Sequence, residues 1–250
     1  MPGDVLARVR DAARNGTPTS LRGLWVSFLS AYGLEAVLRG DSGGVDWVCL
    51  DLQHGDLDVT DVADLIRVAE WAGVTTFVRP PSHDPGLILR VLDAGADGLI
   101  VPTVESGAQA RALVEAVRLP PLGRRSSGSA RTALASGIGA PDPLLLLMVE
   151  TADGVAAADD IASTDGVDGV FVGPYDLTLS LGAASPGDAQ VQKAIRAVVD
   201  ITRRHRKVMG MYAGRPDLLA LATLMDIMAV DSDVTALRTG IDALFDPPSS

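Results

Sequence analysis

Short, continuous apolar segments recur along the chain and alternate with segments in which apolar residues are spaced three and four positions apart. The first kind predicts buried strands, and the second predicts helices with one apolar face. Two such helical stretches cover 62–69 and 110–117. The predicted strands cover 24–29, 47–52, 75–78, 99–101, 144–149, 169–172, 208–212 and 227–230.

This alternation predicts an α/β fold. Strands that are apolar throughout are typical of a parallel sheet covered by helices. Eight strand-helix units in 250 residues match the size of a (β/α)8 or TIM barrel, which we expect to form a single domain over 1–250 with an N-terminal helix. A doubly wound open sheet is the competing architecture. Both place functional residues at the carboxyl ends of the strands.

Composition and charge narrow the function. The chain is 47% apolar and has a net charge of −11, which argues against nucleic acid because binding it relies on Lys and Arg. No apolar run reaches membrane-spanning length, and the N-terminus lacks the apolar segment of a secretory signal. The lone cysteine, Cys49, lies inside a predicted strand and is expected to be a buried hydrophobe. These features favour a cytoplasmic protein without a membrane partner.

Polar side chains follow several predicted strands at the points where the strands end. The carboxyl ends of barrel strands share one mouth, so these side chains are expected to converge. Glu150 follows one strand directly, and Asp176 follows another after a Gly-Pro step. The complete set is Asp51, Gln53, His54, Arg79, Glu150 and Asp176.

This set indicates chemistry at a hard metal ion. Glu150 and Asp176 offer oxygen ligands with no neighbouring Cys or His, which favours Mg²⁺ or Mn²⁺ with positions left for water and substrate oxygens. Such an ion can bind a 2-oxo acid and polarise its carbonyl group. Arg79 would add permanent positive charge, and His54 is the candidate general base because its pKa lies nearest neutrality. In the alternative interpretation, each acid merely caps the helix that follows it.

Five segments resemble the HpcH/HpaI aldolase family, which comprises metal-dependent class II pyruvate aldolases. They are DWVCLDLQHG (46–55), FVRP (77–80), LDAGA (92–96), PPLGRR (120–125) and GVFVGPYDLTLSLG (169–182). The similarity continues in order from about 21 to 245. It implies a barrel that cleaves or forms 4-hydroxy-2-oxo acids through a metal-bound pyruvate-type enolate, with a 2-oxo acid and an aldehyde as partners. The implied cofactor is Mg²⁺ or Mn²⁺, with Co²⁺ as a further candidate.

The resemblance also implies roles for individual residues. Glu150 and Asp176 correspond to the metal ligands, His54 to the catalytic base, and Arg79 to the residue that stabilises the enolate. Asp93 corresponds to the acid that pairs with this histidine. The residues implied to bind substrate are Trp25, Gln53, Met148, Gly173, Pro174 and Tyr175. The family often forms hexamers, as trimers of dimers, with exchanged C-terminal helices. We therefore expect a homo-oligomer that exchanges 234–245, unless this helix closes its own barrel.

Four features depart from the family pattern. Gln53 stands where the family commonly has Glu. Met148 stands where the family's aldolases have a Gln that hydrogen-bonds the keto acid, and Met cannot donate that hydrogen bond. Tyr175 is bulkier than the usual residue, and the connection 126–143 is short. These changes leave two alternatives to an aldolase: an oxaloacetate decarboxylase or enolate-addition synthase of the same superfamily, and a non-catalytic oligomeric barrel.

Overall fold

Eight parallel strands form a closed barrel, with each strand hydrogen-bonded to its neighbours in chain order. The computed structural model describes residues 2–39, 44–128, 131 and 142–245. The strands are β1 Leu21–Val26, β2 Trp47–Asp51, β3 Thr75–Arg79, β4 Gly98–Val101, β5 Leu144–Val149, β6 Gly169–Val172, β7 Val208–Tyr212 and β8 Ile227–Ser232. This closed barrel confirms the predicted α/β class and excludes the doubly wound sheet.

Helices follow the strands and cover the outer face of the barrel. They are α1 Pro2–Asn15, α2 Ala31–Leu38, α3 Val59–Trp71, α4 Pro85–Asp93, α5 Gly107–Val117, α6 Ala152–Ala156, α7 Ala158–Ser163, α8 Pro174–Ser180, α9 Ala189–Arg204, α10 Pro216–Leu219 and α11 Asp233–Phe245, with a 3-10 turn at Ala222–Leu224. Most of the connection 126–143 lies outside the described residues.

The first strand differs from the prediction of 24–29, because it begins at Leu21 and ends at Val26. The apolar run continues through Phe28 and Leu29, but the chain leaves the sheet. The backbone N–H groups of Ser27, Phe28 and Leu29 donate to one carboxylate oxygen of Asp233, at 2.9, 3.0 and 3.1 Å. A side chain from the far end of the sequence thus ends this strand.

Two separate cores stabilise the barrel. Inside it, the buried aromatic residues Trp47, Phe77 and Phe171 belong to one apolar cluster. Val9 of α1 packs against this cluster. Helix α1 thereby covers the N-terminal mouth of the barrel. The second core lies between the outer faces of the strands and the helices. Because the N-terminal mouth is covered by α1, the opposite mouth is left for a site.

Four aspartates repeat the same contact at the N-terminal mouth. Each aspartate directly precedes an even-numbered strand and pairs with the second residue of the strand before it. The aspartate's carboxylate accepts a hydrogen bond from the backbone N–H of that residue. In return, the aspartate's own backbone N–H donates to the carbonyl oxygen of the same residue. The pairs are Asp46 with Arg22, Asp97 with Thr76, Asp168 with Leu145 and Asp226 with Met209. Because buried backbone N–H groups must find acceptors, these pairs complete the sheet where the ladder begins.

Cys49 is buried in β2, as predicted. Among the residues that the structure describes, none of the helices has both the length and the apolar character needed to span a membrane.

Candidate active site

A cavity of about 270 Å³ opens at the carboxyl ends of the strands. It is lined by ten of the residues that the sequence singled out: Trp25, Asp51, His54, Arg79, Met148, Glu150, Gly173, Pro174, Tyr175 and Asp176. Ser27, Tyr212 and Ser232 complete the lining. The cavity falls at the small end of ligand pockets in proteins, which fits a small metabolite.

Arg79 is held at the end of β3 by Asp51 at the end of β2. Its Nε donates to Asp51 Oδ1 at 2.8 Å and its Nη2 donates to Oδ2 at 2.6 Å. Burial alone raises the pKa of Asp51, but the guanidinium outweighs it and the pKa lies below its usual value. Burial likewise lowers the pKa of Arg79, whereas Asp51 raises it further, so the net shift is upward. Both groups are therefore charged near neutral pH.

Trp25 packs beside this pair. Its ring centroid lies 5.0 Å from the guanidinium carbon of Arg79, and its indole helps to hold the pKa of Asp51 down through a hydrogen bond. The aromatic ring and the carboxylate together restrict Arg79 to one orientation. Asp51 was visible in the sequence as a strand-end residue, but its partnership with Arg79 was not predicted.

Glu150 directly follows β5, and the residue is buried at 4% exposure. Its Oε1 accepts hydrogen bonds from the N–H and the hydroxyl of Thr103, both at 2.8 Å. Burial raises the pKa of Glu150; the Thr103 hydrogen bonds oppose that shift, and the charge of Asp176 adds to it. A Cβ atom on Gly173 would lie 2.6 Å from Oε2, so a larger residue at this position would have to displace the carboxylate.

Neither acid caps a helix, so that alternative is wrong. Thr151 is the N-cap of α6, where its hydroxyl accepts from the N–H of Gly154. Gly173 is the N-cap residue of α8, and Asp176 lies in the first turn with no side-chain cap bond at this helix. Both carboxylates instead face the same cavity.

Glu150 and Asp176 line the cavity beside His54, whereas the third carboxylate of the lining, that of Asp51, is bound to Arg79. In the part of the chain that the structure describes, no three His, Cys, Asp or Glu side chains are grouped as a metal site. A cation bound by Glu150 and Asp176 would therefore keep several positions for water and substrate oxygens. This donor set, together with the space that Gly173 leaves beside Oε2, fits Mg²⁺ or Mn²⁺ better than a closed zinc site.

His54 lies at the rim of the cavity and is exposed. Its backbone N–H donates to Asp51 Oδ1 at 3.4 Å, and that of Gln53 donates to the same oxygen at 3.0 Å. The loop after β2 is thus fixed on the Asp51 carboxylate. Gln53 is absent from the described lining of the cavity, and its Oε1 is buried without a hydrogen-bond partner in the described structure.

Asp93 does not reach this site within the chain, so the pairing with His54 that the resemblance implies stays a prediction. It is the last residue of α4, and barrel helices run back from the carboxyl mouth toward the N-terminal mouth. The negative charge of Asp93 acts to raise the pKa of Arg125. The backbone N–H of Arg125 donates to the carbonyl oxygen of Arg118, the residue that follows α5. The direction of the helix therefore places Asp93 at the opposite end of the barrel from His54.

An aromatic wall, formed by Tyr175, Tyr212 and Trp25, bounds one side of the cavity. The Tyr175 and Tyr212 ring centroids are 5.9 Å apart, and those of Tyr212 and Trp25 are 5.7 Å apart. The Tyr212 hydroxyl donates to Asp231 at 3.1 Å. Met148 lines the cavity as well, at 2% exposure, so the departure from the family pattern at this position faces the site.

The fold and the site together define a class of protein: a (β/α)8 barrel whose carboxyl mouth joins two carboxylates with a fixed arginine. The HpcH/HpaI aldolase/citrate lyase family model matches residues 8–234. The chain belongs to this family, as the sequence resemblance predicted.

Relatives and solved structures agree with this assignment. The chain is 36% identical over 215 residues to a hydroxypyruvate/pyruvate aldolase of Rhizorhabdus wittichii, covering 83% of this chain and 84% of the relative. It is 34% identical over 248 residues to a 4-hydroxy-2-oxo-heptane-1,7-dioate aldolase of Klebsiella pneumoniae, covering 94% and 91%. A crystal structure of a family protein from Burkholderia cenocepacia superposes with a TM-score of 0.83 at 31% identity, covering 96% and 99%.

Proposed function

We propose that this protein is a divalent-metal-dependent aldolase, a carbon-carbon lyase that cleaves or forms 4-hydroxy-2-oxo acids. The products of cleavage would be pyruvate, or a related 2-oxo acid, and an aldehyde. The observation that carries the proposal is one cavity lined together by Glu150, Asp176, Arg79 and His54. The names of the aldolase relatives support the same reaction.

Glu150 and Asp176 would hold the cation, Mg²⁺ or Mn²⁺ with Co²⁺ as a further candidate. When bound there, the ion supplies Lewis-acid polarisation of the 2-oxo group. Gly173 and Pro174 line the same part of the cavity and leave space for the small keto acid. Glu150 is the more deeply buried ligand, whereas Asp176 is exposed toward the mouth.

Arg79 would stabilise the negative charge that develops on the 2-oxo oxygen as the carbon-carbon bond breaks. Its charge is fixed in place by Asp51 and Trp25 before substrate arrives, so little reorganisation is needed during the reaction. His54 at the rim would remove the proton from the 4-hydroxyl group in cleavage and return it in synthesis. Because Asp93 lies at the other mouth, we assign it no role in this subunit's site.

The aldehyde would occupy the part of the cavity near the aromatic wall. Tyr175 projects from the first turn of α8 next to Asp176, so its bulk narrows the approach to the metal ligands. Met148 offers the keto acid an apolar contact in place of a hydrogen-bond donor. Both features support a substrate preference different from that of the family's aldolases.

The test is exchange of the methyl protons of pyruvate with deuterated water, followed by NMR in the presence of Mg²⁺ or Mn²⁺. Glu150→Gln, Asp176→Asn and Arg79→Ala are each expected to abolish metal-dependent exchange, whereas Asp153→Asn, an exposed change in α6, should leave it intact. Full exchange in all three site variants would sink the proposal. Pyruvate release from a panel of 4-hydroxy-2-oxo acids would then identify the aldehyde.

A second candidate is decarboxylation of oxaloacetate with addition of the resulting enolate to an acceptor. Met148 favours it, because a cavity without that amide donor depends less on the hydrogen bonding that the family's aldolases use. Product analysis with oxaloacetate and with hydroxy-oxo acids separates the two reactions. A non-catalytic barrel would instead show no calorimetric binding of Mn²⁺ and pyruvate.

We also propose a homo-oligomer, a hexamer or trimer of dimers, that exchanges α11. Apolar side chains recur on this helix at Val234, Leu237 and Ile241, and they are 39%, 52% and 44% exposed. Such a spacing forms one helical face, and an uncovered apolar face on a terminal helix fits a subunit interface. A cytoplasmic location remains a proposal, supported by the lone buried thiol of Cys49.

A further inference from the structure

Thr103 occupies an irregular step between β4 and β5. The two strands pair regularly as far as Val101 with Leu147. Pairing then resumes with the N–H of Val104 on the carbonyl of Met148, at 3.0 Å. Two residues of the β4 side therefore span one position on β5, which is the pattern of a bulge, and bulges commonly redirect side chains beside active sites.

The backbone of Thr103 is strained at this step. Its φ is +51°, in the left-handed region that β-branched residues rarely adopt. Strain of this kind persists where surrounding structure holds it, and it concentrates at functional sites. The preceding residue is held as well, because the carbonyl of Pro102 lies 2.6 Å from His83 Nε2.

The strained conformation directs two donors of Thr103 at the same atom. Its N–H and its hydroxyl both reach Glu150 Oε1, each at 2.8 Å. The φ of Thr103 sets where its side chain lies relative to its own N–H, so the convergence of the two donors on one atom depends on the positive φ. Oε1 is thereby occupied by protein donors, while Oε2 lies in the space beside Gly173.

We propose that Thr103 is a positioning residue that fixes the carboxylate of Glu150 so that Oε2 is presented to a divalent cation. This inference rests on the proposed function, because it takes Glu150 as a metal ligand. Loss of a group that hydrogen-bonds to a metal ligand typically weakens metal binding by about 10- to 100-fold. Removal of the Thr103 hydroxyl should lower the metal affinity about tenfold, the smaller end of this range, because the backbone N–H still donates to Glu150.

The experiment is titration of the metal-free protein with Mn²⁺, followed by calorimetry and by the EPR signal of free Mn²⁺. Thr103→Val keeps the shape of the side chain but loses the hydroxyl, and it should raise the Mn²⁺ dissociation constant about tenfold. Thr103→Ser restores the hydroxyl and should bind within about threefold of wild type. Thr164→Val removes a hydroxyl that donates to the carbonyl of Asp160 at the end of α7, away from the cavity, and it should bind Mn²⁺ as wild type does.

Thr103→Gly separates metal binding from folding. Glycine adopts positive φ without strain, so the metal-free variant should melt no lower than Thr103→Val, yet it should still bind Mn²⁺ more weakly than wild type. Wild-type Mn²⁺ affinity in folded Thr103→Val and Thr103→Gly would overturn the role of Thr103 alone. A wild-type protein that binds no Mn²⁺, like its Glu150→Gln variant, would overturn the proposed function together with this inference.

Discussion

Asp51 and Arg79 form a buried bidentate pair whose two hydrogen bonds measure 2.8 and 2.6 Å. The geometry is the fork-to-fork arrangement that holds a guanidinium in one plane. Arg79 cannot rotate away from the cavity without breaking both bonds. The position of the guanidinium charge in the proposed site is therefore fixed by Asp51 on the neighbouring strand, β2.

Replacing this partner should impair chemistry more than metal binding. Asp51→Asn leaves Arg79 buried without its counter-charge and free to leave the cavity. We expect pyruvate proton exchange to fall about 100-fold, since small misplacements of catalytic groups cost that much, while the Mn²⁺ dissociation constant changes by less than about threefold. NMR exchange rates and calorimetry with Mn²⁺ measure the two effects.

The matched control is Asp231→Asn, which removes a carboxylate near the cavity that contacts Tyr212 and not Arg79. Removing one partner of a buried ion pair also costs about 3–5 kcal/mol, so the unfolding temperature of Asp51→Asn should drop as well. Exchange at the wild-type rate in Asp51→Asn would show that Arg79 needs no fixed partner.

Most of the barrel was predictable because its strands are buried on both faces. The predicted ranges 144–149, 169–172 and 208–212 coincide with β5, β6 and β7. At β1 the apolar pattern predicted the wrong end, because Asp233 binds the N–H groups that would continue the strand. A local pattern cannot report an acceptor that lies about two hundred positions away in the chain.

The site was predictable wherever a strand end delivers the residue, as for Arg79, Glu150 and Asp176. Thr103 was missed because its importance comes from a positive φ and two contacts, neither of which a lone Thr after Val-Pro reveals. The position of Asp93 was not predictable because the family motif gives residue identity, whereas the direction of α4 decides which mouth the residue reaches. The repeated Asp before even-numbered strands was visible in the sequence and would have predicted the N-terminal mouth.

Asp97 should make stability depend on pH in a direction opposite to that of paired acids. Burial raises its pKa to about 6, and Glu70 adds to the shift. Between about pH 4 and 6 the folded state then holds this proton more tightly than the unfolded state, so stability from this group falls as pH rises. The loss amounts to at most about 2–3 kcal/mol.

Asp97→Asn keeps an acceptor for the N–H of Thr76 and removes the charge. We expect the variant to melt a few degrees above wild type at pH 8 and at the same temperature near pH 4.5, measured by calorimetry. Asp168→Asn is the comparison, because Asp168 pairs with Arg118 and Arg10 and its neutralisation should lower stability at pH 8. Equal shifts for both variants at pH 8 would contradict the assignment.

Tyr175 should limit the size of the aldehyde. Its ring forms the aromatic wall with Tyr212, and its hydroxyl lies 3.4 Å from the carbonyl of Ala213, so the side chain is anchored across the cavity mouth. Tyr175→Ala should raise kcat/KM for hydroxy-oxo acids with bulky aldehyde halves about tenfold relative to small ones. Tyr32→Ala, at an exposed position of α2, serves as the control. If the ratio of kcat/KM for bulky and small substrates is the same in wild type and Tyr175→Ala, Tyr175 does not limit the size of the aldehyde.

The apolar face of α11 should hold the subunits together. Leu237 and Ile241 are half exposed, and Leu244 and Phe245 are 79% and 84% exposed. A Leu237→Asp, Ile241→Asp double variant should dissociate into smaller species in size-exclusion chromatography with light scattering, because charge would be buried in an apolar interface. Thr239→Asp, at an exposed polar position of the same helix, should keep the wild-type mass. If the helix instead closes its own barrel, the double variant would keep the wild-type mass but unfold at a lower temperature.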